Sequence, residues 1–253
     1  MKRSGVPFAR LGIIACAGWV MSCTGGVSKV PATPEAVLAR ADDYLKRGKD
    51  VQAVTLYQKF LENYVGNERA DYAQFMLAES YLKGEEYELA AVEYQVLVSN
   101  YGYSEWVDDA IFQTGVCFWR EAPRVERDQQ KANDALSRFN QFLLTYPDSP
   151  RVSEARAYVR QINAQLAEKS LESARWYYKR REPKAALVYC DRVINNYPDN
   201  KHWEEAVYLK GLILIDRGQN EEAIAQFTRL LESSDDASMK RDAEAQIKRA
   251  RKE

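Results

Sequence analysis

The stretch Ala78–Ala90, AESYLKGEEYELA, sets the pattern: a small residue, a ring three places later, and an alanine nine places beyond the ring. The same arrangement recurs as Ala41, Tyr44 and Ala53, and as Gly115, Phe118 and, after a longer gap, Ala135. It returns as Ala174, Tyr177 and Ala186, and as Gly211, Leu214 and Ala223. Four residues after each alanine stands a large or apolar residue (Tyr57, Tyr94, Phe139, Cys190, Phe227). Three further on stands another (Phe60, Leu97, Phe142, Val193, Leu230). Each unit thus holds two helices too short to bury their own apolar faces, so the units must stack on one another.

The order of small residue, aromatic, alanine, aromatic and late proline, seen at Pro147 and Pro198, resembles the tetratricopeptide repeat. The steps from Ala41 to Ala78, Ala78 to Gly115 and Ala174 to Gly211 are 37 residues each, near the usual unit of about 34. The predicted fold is all-α, a superhelical solenoid of five tetratricopeptide helical hairpins plus a C-terminal capping helix. Gly48, Gly84 and Gly218 mark the turn within a hairpin, where a helix end asks for positive φ. In the fourth unit Arg181 takes that place, followed by Pro183 at the opening of the next helix.

One step breaks the rhythm, because Gly115 to Ala174 spans 59 residues. Eight extra residues fall between the small residue and alanine of unit three, which places an insertion between its helices. Fourteen more precede Ala174, and 151–169 contains neither glycine nor proline. This predicts a first helix of unit four lengthened backward, capped by Ser149 with Pro150 in its first turn, as a strut between units one to three (34–149) and units four and five, the strut, these units and the capping helix making up 150–253. After Leu231, the cluster Ser233 to Asp236 caps a last helix from about Ala237 to Arg251.

Residues 1–22 read as a secretory signal: Lys2, Arg3 and Arg10 precede or flank an apolar run, 11–20, too short to span a bilayer. Val20-Met21-Ser22-Cys23 resembles a bacterial lipobox, in which the cysteine becomes the lipidated first residue. An ordinary cleaved signal or an apolar core strand is the alternative. Thr24 after the cysteine points to the outer membrane by the sorting rule of that class. Residues 23–33 then form a tether, and Thr33-Pro34 offers a cap and first-turn proline. The chain carries 36 basic and 37 acidic residues. Without the three basic residues of the signal, 33 face 37, a balance that argues against nucleic acid as partner.

The side chains available for chemistry are few. His202 is the only histidine, and no phosphate-binding or dinucleotide fingerprint is present. Cys190 holds a repeat position filled elsewhere by rings, and Cys117 lies on an apolar helix, so both belong to the core. Asp108-Asp109 and Glu204-Glu205 open helices, where the dipole favours negative charge. No catalytic residue, metal site or cofactor is expected.

A lipobox, a short tether, five repeats, an insertion in the third and an extended fourth together resemble the BamD family of lipoproteins of the β-barrel assembly machinery. The words YLKGEEYELA and NYGYSEWVDDAIFQTGVCFW, and Arg127-Asp128-Gln129 within the insertion, carry that resemblance. It implies a lipid-anchored scaffold facing the periplasm at the outer membrane. Its first three units would take the aromatic C-terminal segments of unfolded outer-membrane proteins. Its last two would dock BamA, alongside other assembly-machinery lipoproteins. The tetratricopeptide resemblance implies a groove lined by Tyr72, Phe75, Glu79 and Leu82 of unit two and by Asp109, Phe112, Val116 and Trp119 of unit three, suited to an extended peptide with alternating aromatic residues, each ring buried in a pocket. A pilotin, or another tetratricopeptide scaffold of a secretion or pilus machine, shares the anchor and the repeats.

Overall fold

The computed structural model describes residues 33–123, 125 and 128–252, so Cys23, the signal, most of the tether and Arg127 lie outside the described residues. Eleven helices follow one another: α1 Pro34–Lys46, α2 Asp50–Asn63, α3 Ala70–Lys83, α4 Tyr87–Asn100, α5 Val107–Glu121 and α6 Gln130–Thr145. Then come α7 Val152–Lys179, α8 Pro183–Asn196, α9 Trp203–Asp216, α10 Asn220–Ser233 and α11 Ala237–Ala250. The first ten pair into the five expected hairpins, and α11 closes the stack.

The motif residues explain why the helices pair this way. Ala41, Ala53, Ala78, Ala90, Ala135, Ala174, Ala186 and Ala223 are all fully buried, because the backbones of neighbouring helices approach closely only where a side chain is small. Tyr57, Tyr94, Phe139, Cys190 and Phe227 are equally sealed, and so are Phe60, Leu97, Phe142, Val193 and Leu230. In units three and five the small residue is glycine because a ring leans on it. A Cβ on Gly115 would stand 3.0 Å from the Phe139 ring, and one on Gly211 would overlap the Phe227 ring outright.

The helix starts are set locally. Thr33 accepts the Ala36 N–H on its hydroxyl (3.3 Å) with Pro34 in the first turn, and Asp236 accepts from the Ser238 and Met239 N–H groups at the head of α11. Two expectations need correction. Gly84 has φ −74°, and the left-handed residue of the second hairpin is Glu85 at φ 61°. The turn demands positive φ seven residues after the small residue, which is Gly48, Glu85, Arg181 and Gly218, and Gly84 stands one residue early. The long helix begins at Val152, so Pro150 lies outside it. Ser149 shapes the preceding turn, accepting the Arg151 N–H at 3.4 Å and donating its hydroxyl to Asp108 at 3.0 Å.

At 28 residues α7 is twice the length of α8 and extends about 42 Å against 21 Å. Its first half gives Ala155, Ile162 and Leu166 to a core shared with α3–α6. Its second half gives Ala167, Leu171 and Ala174 to a core shared with α8–α11. A third cluster unites α1, α2 and the near face of α3. Cys117 and Cys190 are both buried free thiols, in two different cores, and burial pushes each pKa up to about 12.

Gly211→Ala tests the close approach of α9 and α10. Helix propensity alone would favour alanine by about 1 kcal/mol. The enclosed Phe227 ring makes overpacking dominate, for an expected net loss of about 1–3 kcal/mol in urea unfolding.

Candidate binding surface

The inner face of units one and two is organised by carboxylates that hold buried tyrosines. Asp42 Oδ1 accepts the hydroxyls of Tyr57 (2.5 Å) and Tyr72 (3.0 Å). One unit on, Glu79 Oε1 accepts the Tyr94 hydroxyl and the Gln113 side-chain amide (3.3 Å). Burial, reinforced by the adjacent carboxylates, raises the Tyr57 and Tyr94 pKa values and brings that of Tyr72 to about 12. Where the position after the small residue is apolar, as at Val116 and Leu212, the ring opposite is phenylalanine, Phe139 or Phe227, with no hydroxyl to satisfy.

The eight expected groove residues divide into floor and surface. Phe75 is 6% exposed and stacks on Trp106 at 4.8 Å. Phe112 is 1% exposed, held edge-on by Phe139 and Phe142 at 5.5 and 5.6 Å, with Tyr158 of α7 at 6.0 Å. Val116 is buried as well. These three side chains belong to the core, where rings of neighbouring helices and of the α4–α5 connection pack against Phe75 and Phe112. Tyr72, Glu79, Leu82, Asp109 and Trp119 remain partly exposed. Tyr72 carries the Arg69 guanidinium over its ring at 4.7 Å.

Asp109 is fixed by an ion pair with Arg151, whose guanidinium also lies 4.8 Å above Phe112. The head of α7 is thereby fastened to the head of α5. Further along, Trp119 and Arg120 face Glu154, Ala157, Tyr158 and Gln161 across a cleft of about 600 Å³. Sequence reasoning missed the α7 side of this cleft. Its signal is the helical spacing of 154, 157, 158 and 161, which becomes informative once the helix is known to run back past unit three. Beside the insertion, Gln165 donates to the Pro123 carbonyl at 2.9 Å and to the Gln129 side chain at 2.5 Å, tying that loop to the strut.

A second surface follows from the length of α7. Two residues after the small residue, Ser80, Cys117 and Ile213 are fully buried under the preceding unit. The equivalent Trp176 is 53% exposed, because α6 covers only the first half of α7. Arg180 lies 4.7 Å over its ring, Tyr177 meets it edge-on at 4.7 Å, Tyr189 stacks on Tyr177 at 5.4 Å, and Arg192 lies 4.9 Å over Tyr189. Tryptophan, tyrosine and arginine on one open face have the composition of an interface centre.

The family model YfiO, outer membrane lipoprotein, matches residues 31–210 and 177–253. The chain belongs to this family. Relatives of this chain include the outer membrane protein assembly factor BamD of Caulobacter vibrioides, 24% identical over 87% of this chain and 73% of that one. BamD of Haemophilus influenzae is 24% identical over 79% and 80%. Among solved structures, the TPR2AB domain of yeast Sti1 in its pHSP90 complex covers 86% of this chain and 83% of its own, at 12% identity and a TM-score of 0.43. Membership in the YfiO family associates the chain with the outer membrane.

Asp42→Ala would strand two tyrosine hydroxyls, one of them on the fully buried Tyr57. The expected loss is about 2–3 kcal/mol in denaturant unfolding, with Tyr57→Phe in the same background recovering part of it.

Proposed function

We propose that the chain is a non-catalytic scaffold of outer-membrane protein assembly, anchored by lipid at Cys23 with its solenoid in the periplasm. Units one to three receive the aromatic C-terminal segments of unfolded outer-membrane proteins, and units four and five dock BamA within a complex that includes other lipoproteins. The family match along nearly the whole solenoid, together with the assembly-factor names of its relatives, carries this reading.

Two features support the division of labour. The cleft between Trp119 and Tyr158 offers rings with charged and amide groups at its rim, Arg120, Glu154 and Gln161, as suits a peptide end with an aromatic side chain and a carboxylate. Phe75, Phe112 and Val116 form the floor that sets the positions of Tyr72, Glu79, Leu82, Asp109 and Trp119. The open Trp176 face lies where a preceding unit would otherwise stack, which suits a folded partner domain.

The decisive experiment is recovery of partners from detergent-solubilised envelopes with a C-terminally tagged chain. A large β-barrel protein bearing periplasmic repeat domains is the expected partner, and a secretin in its place would move the function to the pilotin class. Trp176→Ala should cut that recovery about tenfold or more while barely changing stability, since a half-exposed interface tryptophan contributes to binding more than to folding. Trp119→Ala should weaken binding of a peptide ending in phenylalanine by about tenfold, measured by fluorescence anisotropy, and leave partner recovery intact. Unchanged peptide affinity would remove the cleft from the reading.

A further inference from the structure

Tyr103, Val65 and Leu144 are the three most exposed large apolar side chains among the described residues, at 108%, 86% and 85%. Val65 lies in the α2–α3 connection, Tyr103 in the α4–α5 connection, and Leu144 in the last turn of α6. The helices of each hairpin run antiparallel through short turns. The ends of α2, α4 and α6 therefore share one edge with the beginnings of α1, α3 and α5. Val51 and Leu89, at the heads of α2 and α4 on the opposite edge, are better covered, at 77% and 46%.

The chain enters the fold on that first edge. Thr33 caps α1 there, ten positions after Cys23, so the chain between them can span at most about 35 Å. We infer that this edge rests on the lipid surface, with Val65, Tyr103 and Leu144 lodged in the headgroup region of a zwitterionic bilayer. The inference rests on the lipid anchor at Cys23 proposed above.

The connection sequences support a bilayer over other occupants. Units one to four each end in a tyrosine, followed by Val65-Gly66, Gly102-Tyr103, Pro147-Asp148 and Pro198-Asp199. An apolar side chain, Val65 or Tyr103, follows the tyrosine in the two connections nearest the tether; Pro-Asp follows it in the next two, and in the third the apolar side chain is Leu144, two residues before the tyrosine. Tyrosine is at home at the membrane interface, with its ring in the acyl boundary and its hydroxyl in water. Glu68 and Glu105 are exposed on the same edge, which disfavours an anionic surface and selects a zwitterionic one. Three such side chains bind a bilayer weakly by themselves. A tether of ten residues makes the contact intramolecular, at an effective concentration on the order of millimolar. The extra half of α7 then sets the α8–α9 connection back from this edge by about 21 Å, so Asp199 stands in water.

The test uses the full lipidated chain in phosphatidylcholine vesicles. Val65→Cys, Tyr103→Cys and Asp199→Cys each carry the same polarity-sensitive fluorophore; Cys117 and Cys190 are fully buried and do not compete for label. Iodide quenching at 65 and 103 should fall at least about threefold relative to the unlipidated Cys23→Ala forms in solution, as for a group moved from water to the interface, with no change at 199. If the chain sediments with the vesicles but all three sites quench alike, the resting edge is wrong and the anchor stands. If it does not sediment, both the anchor and the edge are overturned.

Discussion

The structure depends on the sharing of apolar faces between successive helices. No helix here is stable by itself at 13 to 16 residues, and even the 28-residue α7 is half polar. Each is held by what the previous and next helices place against it, and the sealed alanines and glycines allow the backbones close enough for the rings to fill the gap. The acid and tyrosine pairs are a polar variation on the same contact. Asp42 and Glu79 appear where the ring opposite has a hydroxyl, and apolar residues appear where it has none.

The long α7 modifies this scheme without breaking it. It serves as the fifth helix of one core and the first of another, and Tyr197 at the end of α8 touches both. Its added turns fasten unit three through Arg151, Tyr158 and Gln165. They also leave its second half without a preceding neighbour, which opens Trp176 to solvent. One insertion of helical length thus yields both a cleft wall and an open aromatic face.

Much of this architecture was legible in the sequence because repetition supplies its own control. A position that is small in five units has one explanation, and the burial of Ala41 through Ala223 agrees with it. The site was less legible. Phe75 and Phe112 sit at positions that line a groove in a regular repeat, yet Trp106 comes from a connection and Tyr158 from the lengthened helix, and neither belongs to the repeat register. The displaced left-handed residue is a similar case: Gly84 attracted the assignment by its identity, while the turn geometry required the next position, Glu85. Periodicity reports what units have in common, and the α5–α7 cleft and the open Trp176 face arise from their departures from it.

The substantial helix contacts join neighbours in sequence, apart from lesser ones of α7 and α11 with α9. Such a chain has low contact order and closes only short loops as it folds. Emerging N-terminus first during synthesis, it can lay down α1 to α6 before the remainder has emerged, each helix templating the next. Growth then meets α7, whose first half completes one core while its second half has nothing yet to pack against. Folding of the second block therefore waits for α8, and the centre of α7 is where assembly passes from one cooperative unit to the next.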